Sequence, residues 1–297
     1  MAAFGLFSEI IGFVLFGLAI FHAVKCKSNN IVQRILLIIL LFLYGLALET
    51  AGVFSGNYQY AKETIMFFNE VPLSITLAWA GIIYSAMVIG EKLKLPRLLY
   101  ILFTTCYALS LDWGMDPIAV DIGLWTWTYG GSYFTVPAFN FIGWFFIPIA
   151  FILPYGFRLN LKEKQFKLLT ISEVDQRKTI LRKIYTLFVV IPIAIGVLTL
   201  VGMFTRIPFI YNLPSFVIFP WMALTIVFTT GILIWKRENL HREKWTDIIP
   251  PLIILYIAFS YFIISLFIMR FDLSILSLYT MIPIIIAFLF TVKKKRV

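Results

Sequence analysis

Long runs of apolar residues follow one another along almost the whole chain. A transmembrane helix needs about 20 mostly apolar residues to cross roughly 30 Å of hydrocarbon at about 1.5 Å per residue. Runs that approach this length occur at 6–24, 32–52, 71–90, 97–111, 136–156, 184–205, 213–235, 248–269 and 273–292. The sequence therefore predicts an all-α, polytopic integral membrane bundle of about nine helices. The fourth run is short and the fifth contains two prolines, so eight to ten spans fit the pattern.

The composition excludes a soluble fold. Hydrophobic residues make up 61% of the chain and charged residues only 13%, whereas a soluble domain carries about 25% charged residues. The net charge of +10 could indicate nucleic-acid binding, but the basic residues separate apolar runs and do not form one soluble face. We therefore predict a single multi-pass domain over residues 1–297 in the cell membrane, with membrane lipid and no nucleic acid among its partners.

The positions of the basic residues predict the orientation of the spans. Cytoplasmic loops are enriched in Lys and Arg. Of the 25 Lys and Arg residues, all but Lys62, Arg206 and Arg270 fall after odd-numbered spans. This alternation predicts an outer N-terminus and a cytoplasmic C-terminus. It also predicts that residues 157–183 form a cytoplasmic polar connection between spans five and six.

The segment that follows the fourth run is acidic and aromatic. Between Arg97 and Arg158 there is no Lys, Arg or Glu, and the sequence places three aspartates on the outer side after residue 111. Because nothing local neutralises them, and because the segment is too aromatic for an ordinary exposed loop, we expect it to fold back on the bundle. Its candidate site residues are Asp112, Asp116, Asp121, Trp125, Trp127, Tyr133, Asn140 and Trp144.

A second acidic group lies on the same predicted side. Glu49 is about one turn inside the outer end of the second run. An ionisable residue within a span costs about 2.5–3.5 kcal/mol on insertion scales, so we expect Glu49 to point into the bundle. Glu63 is assigned to an exposed outer loop. The further candidates from this region are Tyr60, Glu70 and Trp79.

Carboxylic acids in an apolar, aromatic pocket have a specific chemical use. An apolar environment disfavours ionisation of an acid and keeps its proton available. Protonation of an isoprenoid C=C bond gives a tertiary carbocation that aromatic faces stabilise. Capture of this cation by water gives a tertiary alcohol. We predict catalytic roles for Glu49, Asp112 and Asp116, with Glu49 as the first choice of proton donor. The other candidates are predicted to contact substrate.

Each of these residues also has a structural interpretation. Asp116 could cap a turn at Pro117, Glu70 could favour the start of the third helix, and the paired Trp125 and Trp127 could belong to an interfacial aromatic belt. Asn140 could orient a water molecule or bond between helices. The sequence does not choose among these roles.

The same residues resemble a known family, that of the carotenoid biosynthesis proteins, over roughly 45–145. The pattern is Glu49, Gly52, Gly56, Tyr58, Tyr60, Glu70, Val71, Pro72, Ala78, Trp79, Asp112, Asp116, Pro117, Trp125, Trp127, Gly130, Tyr133, Val136, Pro137, Asn140, Gly143 and Trp144. Members of this family include carotenoid hydratases such as bisanhydrobacterioruberin hydratase, and a related activity hydrates prenyl chains to give hydroxyarchaeol. Thr135 departs from the small residue that the resemblance implies at that position.

The resemblance implies a membrane hydratase, a hydro-lyase that acts on a carotenoid or isoprenoid substrate within the bilayer. The sequence has no Gly-rich nucleotide loop and no clustered metal-ligand motif, so we expect no metal or other cofactor. Association with other membrane enzymes of isoprenoid metabolism is a further expectation. Two alternatives stay open. An isoprenoid cyclase or isomerase begins with the same protonation but ends by proton loss, and a lipid or small-molecule transporter would also hold acids inside a helical bundle.

Overall fold

The computed structural model describes residues 2–26, 31–166, 196 and 213–294, with the side chains of 2, 3 and 154–166 left out. Within these ranges the protein is mostly helical. The helices are α1 (Ala2–Lys25), α2 (Ile31–Phe54), α3 (Leu73–Lys92), α4 (Arg97–Asp121), α5 (Ala138–Phe166), α6 (Ser215–Trp235), the short α7 (Arg237–Leu240), a 3₁₀ helix (Trp245–Ile248), α8 (Ile249–Phe267), α9 (Phe271–Thr280) and α10 (Ile282–Val292).

Six of the helices in the described residues are long and apolar enough to cross a membrane. The pair α9 and α10 adds a seventh if it forms one span, with a bend of 47° between its halves. The apolar part of α5 whose side chains are described, Ala138–Leu153, is shorter than these. The predicted run at 184–205, apart from residue 196, and the part of the predicted connection after residue 166 lie outside the described residues.

Helices α3 and α4 form the centre of the bundle. Most of their side chains are buried, whereas α1 and α2 present many apolar side chains at the surface. Small residues allow α1 to approach α3 closely: a Cβ atom added at Gly81 would lie 3.0 Å from Cβ of Leu15. Close contact through small residues is a common way to pack helices in a membrane, where apolar burial alone favours no particular partner.

The fourth span is longer than its apolar run predicts. The prediction that it ends at residue 111 is wrong, because α4 continues to Asp121 with Pro117 inside it. A proline in a helix lacks the N–H that would bond to the carbonyl four residues earlier, here that of Trp113. The Tyr133 hydroxyl donates a hydrogen bond of 2.9 Å to that carbonyl. A side chain from the following loop therefore satisfies the group that the proline leaves without a partner.

Two short antiparallel strand pairs complement the helices at one end of the bundle. Strand β1 (Tyr58–Tyr60) pairs with β4 (Trp125–Trp127), and β2 (Met66–Phe67) pairs with β3 (Val71–Pro72). These strands are absent from the all-α prediction. In β1 and β4 the aromatic residues alternate with exposed polar ones, the period expected for strands with one buried face. The β1–β4 pair joins the loop after α2 to the loop after α4.

The two ends of the bundle differ in charge. At one end, which we call the basic end, helix termini meet through ion pairs between Lys92 and Asp247 (2.6 Å) and between Arg34 and Glu91 (3.4 Å). Lys244 also donates there to the carbonyl of Cys26. The β1–β4 pair lies at the opposite end, which we call the site end. These contacts place the C-termini of α1 and α3, the N-terminus of α2 and the 3₁₀ helix together at the basic end.

The orientation of these two ends in the membrane is a prediction that topology reporters can test. A reporter fused after Val297 should be cytoplasmic, and one inserted near Ser132 should be external, because Lys and Arg are retained on the cytoplasmic side. Accessibility of each reporter to a membrane-impermeant label provides the measurement. An external signal from the C-terminal fusion would reverse the predicted orientation.

Candidate functional site

A cavity of about 380 Å³ lies at the site end, between the central helices and the β1–β4 pair. Helices α1, α2, α3, α4, α5 and α8 contribute to its wall. Among the described residues, the wall contains no Lys, Arg or His. The predicted site residues that line it are Glu49, Tyr60, Trp79, Asp112, Asp116, Trp125, Trp127, Asn140 and Trp144.

Glu49 is buried on the face of α2 that looks into the bundle, as predicted from its depth in the span. Its Oε2 atom accepts hydrogen bonds from the hydroxyl groups of Tyr58 (2.5 Å) and Tyr60 (2.6 Å). Its Oε1 atom accepts one from Nε1 of Trp79 (2.5 Å). Three donors from two different elements therefore hold one carboxyl group in a single orientation.

Two glycines on the same face of α2 make this arrangement sterically feasible. A Cβ atom at Gly45 would lie 2.9 Å from Cβ of Trp79, so the glycine lets α3 bring the Trp79 indole beside Glu49. A Cβ atom at Gly52 would lie 2.7 Å from Cζ of Tyr58 and still closer to its hydroxyl oxygen. Alanine at position 52 would push the Tyr58 ring away from the carboxyl group.

The two tyrosines of β1 are suited to act as donors. Burial of their hydroxyl groups, and then the negative charge of Glu49, raise the pKa values of Tyr58 and Tyr60 well above the usual value for a tyrosine. Both phenols therefore keep their protons across the physiological pH range. Their rings pack edge to face with a centroid separation of 5.4 Å, which fixes the two hydroxyl groups side by side.

The aspartates form a second polar centre on α4. Asp112 and Asp116 are four residues apart, so they lie one turn apart on one helix face, and both are buried. The Asn140 amide nitrogen donates to Oδ2 of both carboxyl groups, at 2.9 Å in each case. Nε1 of Trp125 donates to Oδ1 of Asp116 at 2.6 Å. Thus Asp116 receives hydrogen bonds on both oxygens, whereas Asp112 receives a described bond on only one.

Aromatic rings form much of the remaining wall. Trp79 and Trp144 stack with a centroid separation of 4.0 Å and an angle of 17° between their planes. On the other side, Tyr58 lies opposite Trp127 in the β1–β4 register, and their rings meet edge to face at 4.9 Å. The wall thus contains both a stacked and an edge-to-face pair of aromatic rings.

Three of the predicted site residues do not line the cavity. Glu70 is exposed in the loop before α3, and Asp121 is exposed at the end of α4, where it forms an ion pair with Arg270. Tyr133 is buried, but its hydroxyl bonds to the α4 backbone. Thr135 is exposed with φ of 67°, a left-handed conformation that glycine adopts more readily than threonine.

The cavity also contains polar residues that were not among the predicted site residues. Tyr58 belongs to the aromatic–polar alternation of β1, which could have identified it. Tyr261, from α8, also lines the cavity, although no local sequence pattern indicates this position.

Two serines line the cavity where α1 meets α3. They are Ser8 of α1 and Ser74 of α3, and the Ser74 hydroxyl donates a hydrogen bond to Glu63 at 2.5 Å. Glu63 is therefore half-buried and not the exposed loop residue that was predicted; burial raises its pKa.

Comparisons with known proteins give one match. A family model described as carotenoid biosynthesis protein matches residues 10–208, which include both polar centres and the β1–β4 pair. No curated protein and no solved structure matches the chain. In the described residues, no group of three or more His, Cys, Asp or Glu side chains has the arrangement of a metal site.

Proposed function

The chain belongs to the carotenoid biosynthesis protein family, and from this premise we propose that it is a membrane hydratase. The proposed reaction adds water to a terminal isoprenoid C=C bond of a carotenoid or prenyl lipid. The observation that carries the proposal is the convergence of three buried carboxyl groups, those of Glu49, Asp112 and Asp116, on one aromatic cavity.

Acid-catalysed hydration needs one group that gives a proton and one that handles water. A protonated carboxyl group transfers its proton to the less substituted alkene carbon, and a tertiary carbocation forms at the other carbon. Water then forms a C–O bond to the cation and releases a proton to a carboxylate. The sum is alkene plus water giving a tertiary alcohol, with no change in oxidation state that would need an oxidant or reductant.

The wall of the cavity suits a cationic intermediate. The face of a Trp or Tyr ring attracts a positive charge that lies within about 6 Å of the ring centre. Each such interaction contributes about 0.5–2 kcal/mol, and more where water is excluded. The stacked Trp79 and Trp144 and the rings of β1 and β4 surround the carboxyl groups. With no Lys, Arg or His among the described wall residues, the field in the cavity favours positive charge.

The size of the cavity supports recognition of one end of a long molecule. Small-molecule sites typically enclose about 300–1,000 Å³, and the present cavity is near the lower limit of that range. A terminal isoprenoid unit fits such a volume, while the rest of a carotenoid or prenyl chain would extend into the bilayer. The proposal therefore places the reactive bond at the end of the substrate.

Isotopic water provides the test. Purified protein in lipid vesicles is incubated with an acyclic carotenoid that has terminal isopropylidene groups and, in parallel, with a geranylgeranyl lipid, in ¹⁸O-labelled water with and without a chelator. We expect a tertiary alcohol carrying ¹⁸O from one of the two substrates, in either buffer. A cyclic or isomerised product without oxygen would replace the hydratase by a cyclase or isomerase. Saturable binding with no product would favour a lipid-binding or transport role.

Loss of activity in the chelator, restored by adding a metal ion, would contradict the prediction that the reaction needs no cofactor. That prediction rests on the sequence, which has no Gly-rich nucleotide loop and no clustered metal-ligand motif.

A further inference from the structure

The hydrogen bonds around the three carboxyl groups differ in a way that assigns them different roles. Resting on the proposed function, we infer that Asp112 is the proton donor to the alkene and that Glu49 is an ionised carboxylate that orients the attacking water and accepts its proton. Asp116 is then the ionised partner that keeps the proton on Asp112. This division reverses the sequence-based first choice of Glu49 as the donor.

The hydrogen-bond donors around Glu49 favour its carboxylate form. An ionised carboxyl group offers about four acceptor positions and no donor, whereas a protonated one must also donate its O–H. Glu49 accepts hydrogen bonds from Tyr58, Tyr60 and Trp79, and the indole can act only as a donor. Donors to a carboxylate stabilise its charged form. Oε2 is occupied by two donors and Oε1 by one, so Oε1 retains one acceptor position for a water molecule.

The aspartate pair favours a single proton. Both Oδ2 atoms lie 2.9 Å from the same Asn140 nitrogen, so the two carboxyl groups are close neighbours. Two like charges this close, in a wall without described cations, disfavour simultaneous ionisation. Asp116 accepts hydrogen bonds on both oxygens, from Asn140 and Trp125, and so is the better carboxylate. Asp112 has no described partner on Oδ1, which leaves that oxygen to carry the proton.

The assignment gives a balanced cycle. The O–H bond of Asp112 breaks as a C–H bond forms on the alkene, and the carbocation is stabilised by the negative charge of Glu49. Water, held by Oε1 of Glu49, forms the C–O bond and gives one of its two protons to Glu49, while the other stays in the hydroxyl group of the alcohol. Transfer of that proton from Glu49 back to Asp112 through water in the cavity restores the starting state. Neither a co-reactant nor a redox step is needed.

Deuterium incorporation separates the two roles. The experiment uses full-length protein in vesicles, D₂O, and the substrate that gives the alcohol with the unaltered protein. We expect Asp112→Asn to lose alcohol formation and deuterium incorporation together, each by about 10²-fold or more, because no cation forms. Glu49→Gln should lose the alcohol to a similar extent but still incorporate deuterium into recovered or isomerised alkene, because the cation forms and collapses by proton loss.

Two matched controls and one additional variant keep the result interpretable. Glu238→Gln and Asp272→Asn change exposed acids outside the cavity wall and should leave both rates unchanged. In Glu49→Gln, the amide N–H₂ can face the Trp79 donor, so Glu49→Gln is also measured in a Trp79→Phe background against Trp79→Phe alone. Both of these variants lack the indole N–H that would conflict with the amide introduced by Glu49→Gln. Their comparison therefore tests the role of Glu49 even if Glu49→Gln alone fails to fold.

The outcomes for the inference differ from those for the proposed function. If the unaltered protein makes no alcohol, the proposed function fails. If it makes the alcohol but Glu49→Gln loses deuterium incorporation while Asp112→Asn retains it, Glu49 is the donor and the inference is overturned. Loss of incorporation in both folded variants would also overturn it, because Glu49 would then be needed for protonation.

Discussion

Replacement of Asn140 by leucine should reduce the rate of alcohol formation by about 10²-fold or more. Leucine has a similar volume but cannot donate the two 2.9 Å hydrogen bonds to Asp112 and Asp116. Each bond lost from a buried carboxyl group costs about 1–3 kcal/mol, and about 1.4 kcal/mol corresponds to a tenfold change in rate. The initial rate per mole of folded protein is the measurement.

Asn239→Leu is the matched control for this change. The Asn239 amide donates to the carbonyl of Leu93 at 3.0 Å at the basic end of the bundle, remote from the cavity. We expect this variant to lose some thermal stability and to keep its rate. If Asn140→Leu were folded and turned over at a normal rate, the aspartate pair would not need its shared donor, and its proposed part in the reaction would be untenable.

The double change Tyr58→Phe, Tyr60→Phe should also lower alcohol formation by about 10²-fold. It removes both donors to Oε2 of Glu49 but retains the aromatic rings, so the shape of the cavity changes little. Hydrogen bonds to a charged group contribute about 1.5–3 kcal/mol each. The residual product should shift from alcohol toward isomerised alkene. Without these two donors, the carboxylate form of Glu49 is less stable, and Glu49 orients the attacking water and accepts its proton less well. Product ratios from chromatography give the measurement.

Tyr84→Phe tests whether this loss follows from any buried tyrosine. The Tyr84 hydroxyl is hydrogen-bonded to Nδ1 of His22 at 2.8 Å, and neither residue lines the cavity. Its rate and product ratio should match those of the unaltered protein. An equal loss in Tyr84→Phe would mean that the effect comes from general destabilisation of the bundle.

The sequence identifies the polar centres better than the elements that hold them. The position of Glu49 within an apolar run is sufficient to predict an inward-facing acid, because an acid within a span is costly to expose to lipid whichever helices surround it. The end of α4 is not predictable in this way. Pro117 normally indicates a helix end, and only the fold brings the Tyr133 hydroxyl to the carbonyl that the proline leaves free.

Long-range pairing explains the other differences. The alternation in Tyr58–Tyr60 and Trp125–Trp127 is visible in the sequence, but the pairing of these two strands depends on the packing of the helices between them. Tyr261 is one of many aromatic residues in apolar spans, and its place in the cavity depends on the contact of α8 with α3 and α4. Periodicity can indicate a buried face, but it does not specify the neighbour.

The β1–β4 strand pair determines how late during synthesis the site can form. During synthesis, α2 and β1 leave the ribosome before α4 and β4. Glu49 therefore enters the bilayer while β1, which carries its donors Tyr58 and Tyr60, still lacks its partner strand β4. The wall that α8 supplies is translated later still, beyond residue 208, where the family match ends. The three buried acids thus remain without a closed cavity until the last third of the chain has been inserted. Formation of the site is therefore a late event of biogenesis, although its carboxyl groups are among the earlier residues to be translated.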